Sequence, residues 1–489
     1  MSRSPRMKKA AVTLAWENKR PPAKVEDEIF VPWETFDAPS AGALRQGRLF
    51  QGDNADALRH LLGRDERAHL IYIDPPYAMQ ATHGVQVGHG EEAMAYADAW
   101  ADADYCQFMF ERLVLMHQLL HDDGMIFVHC DWRASAWLRL LLEEVFGRGH
   151  FRNEIVWRRA PNLGRQARGA QLGRCVDSIL VFSKTAGAPF RGEPPMRSTP
   201  VPLTRRGTPK GARWDPAKNA WFTTAPRGDY TDASMSQLAK EGRVHTSPSG
   251  TQYVKYFLRS GPDGAVYKDA PLDTLWDDEG VRPLRHASKR ELAIRYVTQK
   301  PEGLLERIIR WASRPGDVVA DFFAGSGTTL AVAHRMGRGW VGCDSGQLAV
   351  HTIRKRMLAL DAGFEVLAAG TPTAGSALFR TSRGSLTIDD VRWLPLLEPK
   401  PLRVTRAKAR KALVGVADPT SRIDLVVARP AAQGGVCRSG NRDNLPWSDE
   451  QPPAEVHIYD VAGRCAVALA EHGMPSVKSA RPTPQEDSA

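Results

Sequence analysis

Residues 70 to 79 read LIYIDPPYAM, and the way this stretch ends constrains the chain more than any other feature. Leu70 to Ile73 form a short apolar run that reads as a buried strand. Asp74-Pro75-Pro76-Tyr77 cannot continue it. Each proline removes a ladder donor and pushes the residue before it out of helical space. A carboxylate, a rigid elbow and an aromatic ring are thereby held at the end of a core strand. Taken alone, such a segment is most simply a rigid surface turn capped by Asp74. Its meaning changes with what else the chain carries.

The surroundings are α/β. LRQGRLFQGDNADALRHLL predicts a strand, a turn at Gly52-Asp53-Asn54 and a capped helix. After the strand 70–73 and a loop, YCQFMFERLVLMHQLLHDDG has helical apolar spacing and a stop at Gly124. MIFVHC (125–130) predicts a second buried strand, SAWLRLLLEEVFG an amphipathic helix, and VDSILVFSK (176–184) a further core strand. Past residue 290 the pattern returns. TQKPEGLLERIIRWAS, TTLAVAHRMG and GQLAVHTIRKRML predict helices, and DVVADFF and GWVGCD predict strands. Toward the C-terminus IDLVVARP and EVHIYDV are candidate strands, and SARPTPQEDSA has the composition of disorder. At 489 residues the chain exceeds one average domain.

Between these halves the composition shifts. From Trp157 to Arg213 there are twelve Lys or Arg against only Asp177 and Glu193. Trp214, Trp221, Phe222, Tyr230, Tyr253 and Tyr256 follow closely. This region is either a loop-rich solvated face or a nucleic-acid-reading module, where cations neutralise phosphates and aromatics stack. The net charge of +10 favours a polyanionic partner or an acidic membrane surface. No apolar run approaches the roughly 20 residues that span a bilayer. The basic start, MSRSPRMKKAAVTLAWENKRPP, lacks the apolar stretch of a signal peptide and reads as a flexible lead. Six scattered cysteines form no C-x-x-C pair, which predicts neither zinc nor a disulfide framework and fits a reducing cytosol.

ADFFAGSGTT (320–329) sets Gly325-Ser326-Gly327 between a strand and a helix, where glycines permit a sharp turn and close ligand approach. Asp321 ends that strand, and Asp344 ends the next, near the roughly 20-residue offset at which an acid meets ribose hydroxyls. No lysine follows Gly327, which excludes a phosphate-gripping P-loop. Leu330 stands where a dinucleotide fingerprint needs a third glycine. A nucleoside ligand without a pyrophosphate fits best. S-adenosylmethionine is such a ligand, with a ribose for an acid and a cationic methionine end for Asp321 and the turn.

Together these segments resemble the DNA amino methyltransferases that modify adenine N6 or cytosine N4. The order of D-P-P-Y, basic insertion and F-x-G-x-G resembles their circularly permuted β group, which includes the modification subunits of Type III restriction systems. The likeness covers roughly residues 48 to 357. It rests on IDPPY, FMFERL, DDGMIFVHCDW, FRNEIVWRR, SILVFSK, TQKPEGLLERII, FFAGSGTT and GWVGCD. It implies an α/β, Rossmann-like, S-adenosylmethionine-dependent methyltransferase fold with an inserted target-recognition region and a C-terminal extension. The expected division is a flexible basic lead (1–43), a catalytic half (44–184), the insertion (185–290), a cofactor half (291–365) and an extension of no assigned role (366–489).

The implied chemistry asks for those residues. An exocyclic amine has a delocalised lone pair and is a poor nucleophile. The Asp74 carboxylate and the Pro75 carbonyl would accept its hydrogens, and Pro75 and Pro76 would hold both acceptors rigid. Tyr77 would stack the flipped base. The sulfonium donor is already activated, so the expected metal content is none.

The resemblance assigns the cofactor to Asp321, Phe322, Phe323, Gly325, Gly327, Thr328 and Asp344, joined by Thr298, Gln299, Lys300 and Pro301. Asp53 is a further candidate whose other role is an ordinary helix cap. Phe322 stands where family members often have proline. DNA contacts are expected from Arg158, Arg159, Arg165, Arg168, Arg205 and Arg206. His129 is a packed histidine or a proton handler, and Lys184 a phosphate contact or a strand-edge cap. The expected partner is double-stranded DNA. A separate restriction or helicase subunit and a homodimer are left open, and the expected compartment is cytoplasmic. D-P-P-Y leans toward adenine N6, since relatives acting on cytosine more often begin that motif with serine. Cytosine N4 and an inactive DNA-binding specificity subunit are the alternatives. Methylation of a protein amide or RNA fits less well, because the related protein-glutamine enzymes begin the motif with asparagine.

Overall fold

The computed structural model describes residues 14–22, 30–37, 47–77, 81–87, 91–98, 102–160, 172–261, 265–284, 288, 291, 294, 296, 298–369, 377–379, 423–429, 437–440, 455–460 and 465–469. Ten strands build its main sheet: β1 (Phe30–Phe36), β2 (Gly47–Gln51), β3 (Ala68–Ile73), β4 (Leu120–Cys130), β5 (Phe151–Arg158), β6 (Val176–Ser183), β7 (Leu275–Trp276), β8 (Val318–Asp321), β9 (Gly339–Asp344) and β10 (Phe364–Ala369). Their order is β1-β10-β2-β9-β8-β3-β4-β6-β5-β7. The run from β10 to β4 is parallel, while β1 pairs β10 and β6 pairs β4 and β5 antiparallel.

Among the described residues, six helices cover this sheet: α1 (Asn54–Leu62), α2 (Asp102–Leu119), α3 (Ser135–Phe146), α4 (Glu302–Ala312), α5 (Thr328–Arg335) and α6 (Gln347–Leu358). Alternation along β3 sorts its faces. Leu70 and Tyr72 belong to the core formed with Leu304, Ile308 and Val350. Ile71 and Ile73 belong to the core formed with Leu58, Met109 and Leu138. Helices α1–α3 therefore cover one face and α4–α6 the other. The crossovers change face between β3 and β8, which is the switch point of a doubly wound sheet, where ligand crevices open beyond the strands' carboxyl ends.

Several boundaries differ from expectation. Helix α2 ends at Leu119, ahead of Gly124, because Leu120 already pairs with Ala68 across a register shift. The stretch expected as a loop after Tyr77 contains an antiparallel pair, Ala81–Val87 with Glu91–Asp98. Of the expected lead, residues 1–13, 23–29 and 38–43 lie outside the described residues, while 14–22 and 30–37 are built into the fold. Trp16 Nε1 donates to Gln107 Oε1 at 3.1 Å, Lys19 pairs with Glu144, and β1 is an edge strand of the main sheet. The signal missed here was FVPWETF, whose proline masked an edge strand, a place where proline is tolerated.

The C-terminal extension forms a second sheet in the order Ala377–Phe379, Cys465–Leu469, Glu455–Asp460, Ile423–Arg429 and Arg438–Gly440. It belongs to the same compact unit as the main sheet. Glu34 of β1 is the joint. It accepts from Arg354 Nε at 2.6 Å and Tyr459 Oη at 2.6 Å, and meets His457 Nδ1 at 2.9 Å. Burial alone would raise the Glu34 carboxyl, but Arg354, His457 and Tyr459 outweigh it and hold the group at about 2. The segment SARPTPQEDSA (479–489), expected to be disordered, lies outside the described residues.

Glu193–Leu275 is the other compact unit, narrower than the expected 185–290. Its antiparallel sheet runs Arg213–Asp215, Ala220–Pro226, Gln252–Ser260, Val266–Pro271 and Met196–Pro200, with Val244–Thr246 beside Gln252–Ser260. The helix Asp232–Lys240 packs Met235 and Leu238 on Val254. Trp214 and Trp221 form a cross-strand pair with centroids 5.3 Å apart. Among the described residues, no helix is long and apolar enough to cross a membrane.

Candidate active site

Strand pairing brings the two sequence motifs together. β3 and β8 are adjacent and parallel, with Val319 opposite Leu70 and Ala320 opposite Ile71. Asp321 thus comes level with Tyr72, and the D-P-P-Y elbow leaves the sheet beside the glycine turn. One cavity of about 260 Å³ is lined by Asp74, Pro75, Pro76 and Tyr77 from the first motif. Asp321, Phe322, Phe323, Gly325 and Thr328 line it from the second, with Asp344, Thr298, Lys300 and Asp53. That volume would hold many waters, more than a packing defect leaves.

Three carboxylates face this space in different states. Burial pushes Asp74 up, but Lys300 beside it more than compensates and holds its carboxyl below the usual range. Lys300 Nζ pairs with Asp74 Oδ2, and the Tyr77 hydroxyl donates to Asp74 Oδ1. Asp321 has no such cation. Burial pushes it up to about 7, with Asp74 and Asp344 adding to the rise, although Thr329 Oγ1 and Phe323 N both donate to it. Burial also raises Asp344, whose two oxygens accept from Gly325 N and Gly346 N, each at 2.8 Å. The cavity therefore carries an excess of acid and one ammonium, a charge pattern that suits a cationic ligand and repels a phosphate.

The glycine turn is built for close packing. Gly325 has φ +49° and Gly327 φ +71°, the left-handed region that side chains disfavour. A Cβ on Gly327 would sit 2.7 Å from Ile353 Cγ1. Gly327 does not line the cavity; it lets α5 pack on α6. Arg356 holds the same turn, donating to Ser326 O at 3.1 Å and to Glu302 Oε1 at 2.6 Å.

Other expected residues sort as follows. Asp53 caps α1 by accepting from Ala55 N and also pairs with Arg112 at 2.6 Å, so its cap role is present at the cavity's edge. Phe322 is fully buried in the core, and its carbonyl accepts from Asn54 Nδ2 at 2.8 Å. The Phe323 ring instead meets Phe108 edge-on, and both line the cavity. Pro301 starts α4 without lining it, and Gln299 Nε2 donates to Glu291 O. Lys184 Nζ donates to His117 O, a structural role. Arg158 is exposed at the end of β5, and Arg159 pairs with Asp177 at 2.9 Å. Arg165 and Arg168 lie outside the described residues. Arg205 and Arg206 are exposed in the separate unit Glu193–Leu275.

Sequence reasoning missed Tyr72, Asn54, Phe108, Tyr296, Ser326 and Thr329, all lining the cavity. Tyr72 alone carried a signal: it stands two residues before Asp74 and so shares its face.

A parallel sheet whose switch point gathers these carboxylates, a glycine turn and a proline elbow defines an α/β group-transfer enzyme with a nucleoside-type ligand site. The DNA methylase family model, that of the N6 and N4 methyltransferases, matches residues 68–355, more than half of the chain, and the chain belongs to this family. It is 30% identical over 323 residues to the Type II methyltransferase M.EcaI of Enterobacter cloacae, covering 62% of this chain and 68% of that one. It is 29% identical over 329 residues to the StyLTI Mod subunit, a Type III restriction-modification enzyme of Salmonella typhimurium, covering 57% and 48%. The DNA adenine methyltransferase YhdJ of Escherichia coli is 25% identical over 279 residues, covering 57% and 72%. The chain thus spans about half the length of the Mod subunit.

Proposed function

We propose that this chain transfers a methyl group from S-adenosylmethionine to the exocyclic amine of a flipped base in double-stranded DNA, at adenine N6. The observation that carries the reading is the shared cavity of Asp74 and Asp321, which sets an amine-gripping elbow beside a cation-ready carboxylate. The residues fit that donor. Asp321 would meet the positive charge, Asp344 and the Gly325 turn would meet the ribose end, and Phe108 with Phe323 would offer a flat apolar wall. When bound, the donor supplies a methyl carbon already activated by its sulfonium charge.

The chain's own groups do the rest. The Asp74 carboxylate and Pro75 carbonyl accept the amine's hydrogens and turn its lone pair into the cavity. The prolines keep both acceptors fixed. Before the amine can be gripped, Asp74 must exchange its Tyr77 partner for the incoming base, while Lys300 keeps it ionised. The choice of adenine is supported by the D-P-P-Y form; both amines offer the same hydrogens. Target reading is assigned to Glu193–Leu275 with its exposed Arg205, Arg206 and Trp214. A separate restriction subunit is the proposed partner, on the likeness to a Mod subunit.

The test is sequencing of DNA exposed to the chain and labelled donor. N6-methyladenine at one recurrent site, absent with Asp74→Ala while DNA is still retained, is expected. Label on cytosine would overturn the base, and no label with the intact chain would overturn the reading.

A further inference from the structure

Methyl transfer to an amine releases a proton, and the groups around Asp74 leave it few exits. The new N–C bond forms as the C–S electrons stay on sulfur, and the ammonium so made must lose one hydrogen. Asp74 takes it. Lys300, as an ammonium, has no lone pair to receive it onward, and the Tyr77 hydroxyl gives up its bond to Asp74 when the base enters.

Across the neighbouring strands runs a row of titratable side chains that the proposed chemistry does not otherwise use. β3 and β4 pair Tyr72 with Phe127 and Ile73 with Val128; Asp74 directly follows β3, while β4 continues through His129. Tyr72 and Asp74 both line the cavity. Tyr72 Oη lies 2.9 Å from His129 Nδ1. His129 Nε2 lies 3.2 Å from Asp177 Oδ2 on β6. Asp177 Oδ1 is 2.9 Å from Arg159 Nε, whose side chain is 44% exposed. Tyr72, His129 and Asp177 are themselves buried, at 1%, 0% and 5% exposure. A buried polar chain of this kind is costly where an apolar pair would pack as well.

Resting on the function proposed above, we infer that Tyr72, His129 and Asp177 relay the released proton from Asp74 to the Arg159 edge of the sheet. The polarity follows from the partners. An ionised Asp177 can only accept, so His129 Nε2 carries the hydrogen and bare Nδ1 accepts from the Tyr72 hydroxyl. That leaves the Tyr72 oxygen's lone pairs free for the cavity it lines. The Asp74 proton passes to the Tyr72 oxygen as the phenolic hydrogen moves to Nδ1. The imidazolium so formed is held by Asp177, and its Nε2 proton leaves through Asp177 to solvent beside Arg159. No atom is oxidised or reduced. The groups that face His129 are Tyr72 from β3, Asp74 just past it, Asp177 from β6 and Trp157 from β5, its ring centroid 5.5 Å away. Lys300 and Tyr77 act on Asp74, and Arg159 on Asp177.

The test uses single-turnover methylation of duplex DNA carrying the site that the intact chain modifies, at saturating donor, across pH 5.5 to 9. His129→Asn keeps a hydrogen-bonding side chain that cannot be protonated, and Tyr72→Phe keeps the ring without the hydroxyl. Both are expected to slow the step about 100-fold and to lose the acid limb of the wild-type profile. Affinity for S-adenosylhomocysteine and melting temperature stay unchanged. Wild-type rate and profile in either variant would overturn the relay. So would a rate loss matched by equal losses of affinity and melting temperature, since the row would then be structural. An intact chain that methylates nothing would instead overturn the proposed function.

Discussion

Asp321→Asn tests the claim that the cavity is a cation site before any cation binds. The wild-type carboxyl is pushed up to about 7 in the folded chain, against an ordinary value of 3.8. Each pH unit of that gap corresponds to about 1.4 kcal/mol, so ionising Asp321 in the empty fold costs about 4 kcal/mol. The sign follows from proton counting. Between the two values the folded state holds a proton that the unfolded state has lost, so stability falls as pH rises through this window and levels off above 7. Asparagine has nearly the same shape, can accept from Phe323 N and can bond Thr329, yet stays neutral. In urea unfolding without donor, the variant should therefore exceed wild type in stability, and the excess should widen by about 2.5 kcal/mol from pH 5 to pH 8. Added S-adenosylmethionine should stabilise wild type far more than the variant. A stability difference that stays constant with pH would refute the reasoning.

Further expectations follow from single contacts. Lys300→Met removes the cation that holds Asp74 low, so Asp74 should gain an acid limb of its own at higher pH than in wild type and the plateau should fall; no such added limb would contradict the pairing. Gly327→Ala forces a side chain onto φ +71° with its Cβ 2.7 Å from Ile353, and should destabilise by about 1–3 kcal/mol in thermal melts. Glu34→Gln breaks a fully buried charge cluster and should cost about 3–5 kcal/mol in urea unfolding.

The core of the fold was legible because parallel strands buried on both faces print as continuous apolar runs. LIYI, MIFV and WVGC needed no partner to be recognised. The motifs were legible for a similar reason: proline and glycine act locally, so the elbow at Pro75-Pro76 and the turn at Gly325-Gly327 announce themselves. What stayed hidden depends on neighbours distant in sequence. Tyr72 looked like one more core residue until β4 brought His129 within hydrogen-bond reach. Lys300 was expected at the donor and does line the cavity, but its reach across 226 positions of sequence to Asp74, the proposed amine-gripping carboxylate, had no local signal. Glu34 and Tyr459 are separated by 425 positions, and no local pattern links them.

That last pairing bears on how the donor turn is supported. Helix α6 faces three ways within four residues. Ile353 packs beneath Gly327, Arg354 reaches Glu34 beside His457 and Tyr459 of the C-terminal sheet, and Arg356 grips the Ser326 carbonyl. Arg356 also pairs with Glu302, the first residue of α4, directly after the Lys300 segment. The turn that meets the donor and the segment that carries Lys300 are thus tied by one guanidinium, on a helix whose neighbouring residue is bonded to β1 and packed against the C-terminal strands. Because a buried charge cluster is strongly destabilised by losing one partner, the extension cannot be removed without exposing Glu34 and Arg354 on the side of α6 away from the cavity. The described C-terminal strands are consequently part of the structure that supports the proposed donor turn, although none of their residues lines that cavity.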